Sequence, residues 1–221
     1  MLKEKLVLVV VASVIIGAFI FFGLKSPSNS GGNSANPNQS RTTSTSDNVK
    51  QAEEYVKQGN LQYESKNYNQ AISDYDKAIE LNPNNATAYN NRGFTYCDLK
   101  NYNKAINDFD KAIELNPKFA PPYKGRGDSY YYLNDYHHAI SDYDKAIEFN
   151  PDNAFYYGNR GNAYNKLKNY DQAIIDLNKA IQIDPNNFVY YNDRGFAYQE
   201  IGDNARAQAD FKRAKELGYN G

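Results

Sequence analysis

The chain has 221 residues, 41% of them hydrophobic and 23% charged, with 25 basic against 26 acidic side chains and a net charge of -1. That length can bury a core of its own, and the balanced charge leaves no Lys/Arg stripe for a phosphate backbone, which argues against a nucleic-acid partner. Cys97 is the single cysteine, which excludes an intrachain disulfide and a cysteine-based metal site, and His137 and His138 would splay apart on a helix without converging on one ion.

The first element is apolar. After MLKEK comes LVLVVVASVIIGAFIFFGL, Leu6 to Leu24, 19 residues without a charge. As a helix it would extend about 28 Å, close to the hydrocarbon thickness of a bilayer. A cleaved secretory signal would have a shorter apolar region and end at a small-residue site. The segment is therefore expected to stay as a single membrane anchor. Lys3 and Lys5 precede it against Lys25 after it, which puts residues 1–5 in the cytoplasm and the repeats outside it. Residues 25–49, rich in Ser, Asn, Thr, Gly and Pro, have little to bury and read as a disordered polar tether.

From Ala52 onward the chain repeats. Pro83, Pro117, Pro151 and Pro185 are spaced by 34, as are Gly59, Gly93, Gly127, Gly161 and Gly195. Alanines follow the same period at 71, 105, 139, 173 and 207, and again at 78, 112, 146, 180 and 214. Five units result: 52–85, 86–119, 120–153, 154–187 and 188–221. In each, Tyr at unit position 4, Gly at 8 and usually Tyr at 11 share one face of a first helix, while Ala at 20, an aromatic or Leu at 24 and Ala at 27 share one face of a second. The small residues permit close approach, and the proline at 32 ends the second helix.

These residues resemble the tetratricopeptide repeat family, whose period and pattern of aromatic, small and proline positions are matched across residues 52–221. The resemblance implies an all-α fold, a right-handed solenoid of helix-turn-helix units with a concave groove lined by the first helices. It also implies a scaffold that binds other proteins. Isoleucines at unit positions 21 and 28 become Gln208 and Lys215 in the fifth unit, as a last unit with no follower requires. Polar substitutions at both ends predict a monomer.

Two further patterns concern polar residues. Arg92, Arg126, Arg160 and Arg194 stand at position 7, and Asp74, Asp108, Asp142, Asp176 and Asp210 at position 23. The first unit lacks the Arg, so each Arg is expected to pair with the Asp of the unit before it: Arg92–Asp74, Arg126–Asp108, Arg160–Asp142 and Arg194–Asp176. An anion-binding row of arginines is the alternative. The second pattern is the groove. Positions 2, 5, 9, 12 and 13 face away from the core and hold Asn60, Tyr63, Asn90, Phe94, Lys124, Tyr131, Tyr132, Phe155, Asn162, Asn192 and Phe196. Exposed rings cover apolar side chains and amides serve a peptide main chain, which suits a partner's peptide or helix.

Family members that grip the C-terminal carboxylate of cytosolic heat-shock chaperones place two Lys and an Arg around two Asn. Here those positions read Val56, Asn60, Asn91, Pro121 and Gly125, so the amides match and all three cations are missing. No P-loop, nucleophile elbow, dinucleotide motif or metal-ligand spacing occurs, and nothing supports an enzyme, a cofactor or a metal. The leading reading is a membrane-tethered interaction scaffold with a protein partner in the groove. The rival is a structural subunit of a cell-envelope assembly that uses its outer face or termini.

Overall fold

A computed structural model of the chain describes residues 45–220, and these form ten α-helices with no strand among them. The expected span Leu6 to Leu24 lies outside the described residues, as does most of the tether. No helix among the described residues is long and apolar enough to cross a membrane. The helices are α1 (Thr45–Glu64), α2 (Tyr68–Leu81), α3 (Ala86–Asp98), α4 (Tyr102–Leu115), α5 (Ala120–Tyr132), α6 (Tyr136–Phe149), α7 (Ala154–Lys166), α8 (Tyr170–Ile183), α9 (Phe188–Glu200) and α10 (Asn204–Glu216).

The tether ends earlier than its composition suggests. Helix begins at Thr45, not after Val49, and α1 runs 20 residues where the other first helices run 13. The reason is local: Asp47 sits in the first turn, where a carboxylate favours the helix N-terminus. Val49, Ala52 and Val56 then continue one apolar stripe.

Close approach within each pair rests on the small residues. Alanines 71, 105, 139 and 173 are fully buried. A Cβ on Gly59 would stand 2.5 Å from Tyr75 Cε1, and one on Gly93 2.8 Å from Phe109 Cε1, so any larger residue would push the ring of the second helix out of the core. The turn between paired helices is a recurring Schellman motif: the amide of Lys100 donates to Cys97 O and that of Asn101 to Tyr96 O, both at 2.8 Å. This geometry requires a left-handed residue, supplied by Lys66, Lys100, Asn134 and Lys168 at φ near 60° and by Gly202 in the last unit.

Each helix touches only its own unit and the adjacent ones. Successive first helices meet one another, whereas successive second helices do not. The stack therefore bends with α1, α3, α5, α7 and α9 on its inner side. At the C-terminal end Gln208 and Lys215 are exposed, where the equivalent isoleucines of earlier units are half-buried.

The arginines correct the expected pairing. Each makes a bidentate pair with the Asp of its own unit: Arg92 with Asp108 (2.8 and 2.6 Å), Arg126 with Asp142, Arg160 with Asp176 and Arg194 with Asp210. The preceding unit supplies a different residue, at position 25. Arg92 donates to Asp76 and Arg160 to Asp144, both at 2.5 Å, Arg126 to Asp110, and Arg194 to Asn178. In antiparallel paired helices positions 7 and 23 lie side by side, so the guanidinium fork meets its own unit first. In the first unit, where Gln58 replaces the Arg, Asp74 accepts instead from Gln70 at 3.1 Å and from Lys77 at 3.5 Å. The guanidiniums also lie over the position-4 rings, 5.5 to 5.8 Å from the centroids of Tyr89, Tyr123, Tyr157 and Tyr191. None of the four stands free for an anion.

Candidate partner-binding groove

The inner face is built from rungs. Unit position 9 of a first helix meets position 24 of its own second helix and position 6 of the next first helix. At the first rung Tyr75 Oη and Asn91 Nδ2 both donate to Asn60 Oδ1, at 2.8 and 2.9 Å. At the third, Tyr143 Oη and Asn159 Nδ2 both donate to Asp128 Oδ1, at the same two distances. The fourth joins Asn162 Nδ2 to Asp193 at 2.9 Å, and Tyr131 Oη to Asn162 Oδ1 at 2.7 Å.

The second rung is apolar. Phe94 stands at position 9 with Phe109 edge-on at 5.0 Å, and position 6 of the next unit is Gly125, where a Cβ would lie 2.3 Å from Phe109 Cζ. An amide or carboxylate at position 9 thus travels with Asn or Asp at the next position 6, and a Phe with Gly. That correlated choice is visible in the sequence: it singles out Asp128 at groove position 9 and adds Asn159 and Asp193 at position 6, outside the groove positions 2, 5, 9, 12 and 13.

The rungs sort the expected site residues. Asn60 and Asn162 belong to the floor and have their side chains engaged. Asn60 and Asn91, the two amides shared with carboxylate-gripping relatives, are bonded to each other. Asn90 is buried and its Oδ1 has no partner, so it lies beneath the surface and not on it. Burial pushes the Tyr131 phenol up to about 12, in keeping with its place in the floor, and raises Tyr63, which packs on Tyr68. Phe94 is half-buried.

Three rings remain in the open: Tyr132, Phe155 and Phe196, with 62%, 55% and 43% of their surface exposed. Tyr132 stacks nearly parallel on Tyr102 at 5.2 Å, which stiffens it without covering it. Lys124 bonds Asp128 at 2.6 Å and lies 5.6 Å from the centre of the Phe94 ring. Asn192 lines a cleft of about 410 Å³ with Asp193 and Phe196. A second cleft of about 310 Å³ lies among Lys124, Tyr131, Tyr132 and Asn159. A third, of about 290 Å³, is bounded by Asn60, Tyr63, Asn91 and Phe94. No cluster of three metal-ligating side chains occurs among the described residues.

Stacked antiparallel helix pairs with a continuous inner face define an α-solenoid repeat protein. Family profiles described as Tetratricopeptide repeat match residues 86–119, 120–153, 154–187 and 177–209, and one described as TPR repeat matches 59–99. The chain belongs to the tetratricopeptide repeat family. A stretch of 47 residues is 47% identical to the Protein STIP1 homolog of Dictyostelium discoideum, covering 21% of this chain and 8% of that protein. The MamA protein crystal structure is similar over 76% of this chain and 92% of its own, at 28% identity and a TM-score of 0.68. YrrB, described as a TPR protein with an unusual peptide-binding site, shares the fold at 21% identity and a TM-score of 0.64, over 79% of this chain and 92% of its own.

Proposed function

We propose that this chain is a membrane-tethered scaffold that holds a peptide or helix of a partner protein along the inner face of its repeats. The observation that carries this reading is the exposure of Tyr132, Phe155 and Phe196 on a face whose other rings, Tyr63, Phe94 and Tyr131, are half-buried. Aromatic anchors carry the larger share of binding energy at protein interfaces. The rungs Asn60–Asn91, Asp128–Asn159 and Asn162–Asp193 already bond within the floor, so they set the shape of the groove while the rings make the larger contact.

Alanine at all three rings should lower partner capture by the tagged full-length chain at least about tenfold, equivalent to about 1.4 kcal/mol, with helix content unchanged by circular dichroism. Undiminished capture would move the binding surface to the outer face or the termini, as in an assembly subunit.

The tether is part of the proposal and rests on Leu6 to Leu24. The chain should stay in the membrane pellet on alkaline extraction, and protease added to intact cells should remove the repeats. A soluble form beginning after Leu24 contradicts the anchor, and protected repeats contradict its orientation.

A further inference from the structure

The last cleft of the groove differs from an earlier one in what lies over its position-9 ring. In the middle of the array the Lys124 ammonium lies 5.6 Å from the Phe94 ring centre and 2.6 Å from the Asp128 carboxylate. Phe196 repeats Phe94 at unit position 9, but among the described residues no lysine or arginine lies over its ring, and the ring is exposed.

The same cleft contains Asp193, whose carboxylate is held only by amides: Asn162 Nδ2 donates to it at 2.9 Å, and Asn192 adds a second bond. Among the described residues no Lys or Arg forms an ion pair with Asp193, although Lys166 acts on it at longer range. The buried aspartates of the second helices are different, since all five have a cationic partner. Below Asp193 lies Asn165, only 8% exposed. Its Nδ2 donates to the Asp193 main-chain oxygen at 3.0 Å, which fixes the amide and leaves Oδ1 as a buried acceptor with no donor. Glu200, which accepts from Tyr170 Oη at 2.9 Å, adds a second carboxylate to the wall.

We infer that this cleft receives one basic side chain, arginine or lysine, of the partner's segment, seated on the Asp193 carboxylate and against the Phe196 ring. The inference rests on the groove reading above. A carboxylate beside an aromatic face attracts an ammonium or guanidinium by charge and by the ring quadrupole together. Lys166 and Lys168 face the same cleft, and both are exposed. Two lysines against two carboxylates leave the cleft near neutral as a whole, so the attraction is local to the Asp193 carboxylate, which no ion pair among the described residues engages, and suits a single cation rather than a basic run. Burial raises the Asp193 carboxyl above the usual carboxylate range, opposed by the two amide bonds and Lys166. Its charge, and the preference for a cation, is therefore lost on acidification earlier than at an exposed aspartate.

The test is equilibrium binding of two fluorescent heptapeptides to the full chain. One has a central arginine, the other the uncharged isostere citrulline in its place. The arginine peptide should bind at least tenfold more tightly, with the margin shrinking as pH is lowered. Asp193→Asn should abolish the margin. Asn occupies the same unit position in Asn91 and Asn159, so this variant keeps the fold. Phe196→Asn, equivalent to Asn60 and Asn162, should weaken the arginine peptide in particular. Equal affinity of the two peptides, or no measurable binding of either at millimolar concentration, overturns the inference. Equal affinities that both collapse with Tyr132→Ala and Phe155→Ala would overturn it and leave the groove reading standing.

Discussion

Each arginine at unit position 7 does two things with one planar fork. Two of its nitrogens close a bidentate pair inside the unit, and the third reaches a carboxylate or amide of the unit before. The two halves differ in environment. The Asp142 side chain is almost fully buried, whereas that of Asp110 is half exposed. Arg126→Ala should therefore destabilise the protein by about 3–5 kcal/mol, because it leaves a buried carboxylate without compensation. Asp110→Ala should cost no more than about 1 kcal/mol. Urea unfolding of both variants checks this, and equal losses would contradict it. Position 97 follows the same logic of neighbours. The Cys97 thiol lies 3.2 Å from Ser129 Oγ, burial pushes its pKa up to about 11, and it acts as packing between units rather than as a nucleophile.

At the scale of the helix pair, the turns retain a conformational cost. Lys66, Lys100 and Lys168 adopt φ near 60°, a region that costs an L-residue roughly 1–2 kcal/mol. The last unit uses Gly202 there, which avoids the cost. Lys100→Gly should raise stability by about 0.5–1 kcal/mol, the relief of strain exceeding the added freedom of the unfolded glycine. A lower urea midpoint for this variant would mean that the lysine side chain makes a contact worth more than the strain. The start of the third unit shows a related exchange. Phe119 gives no side-chain cap to α5, where Asn85, Asn153 and Asn187 cap the corresponding helices. Prolines in the first turn of α5 take the place of the missing acceptor by presetting the backbone.

Across the whole molecule, the helix pairs were legible because a period of 34 fixes which residues must be small and which must be large. What the sequence left open was choice among equivalent neighbours. The absence of Arg from the first unit pointed backward along the chain, and the structure does place a bond there, but to Asp76 and not Asp74. Spacing along a helix cannot say whether a long side chain closes first on its own partner helix or on the unit before. The groove was half legible for a similar reason: helical periodicity puts Phe94, Tyr131 and Phe196 on one face, yet what the neighbouring unit offers decides which ring is covered. Phe94 has Lys124 over it and Phe109 beside it, whereas Phe196 meets Tyr170 edge-on at 6.3 Å and stays 43% exposed. Since each helix touches only adjacent units, the solenoid presents its inner face as a series of local surfaces, and the open rings belong to the third, fourth and fifth. The most direct test is site-specific photocrosslinking in living cells, with a photoreactive phenylalanine placed at Phe155 on the inner face or at exposed Ile175 on α8. A discrete adduct with a partner protein is expected from position 155 and none from 175. An adduct from 175 alone would contradict the groove reading.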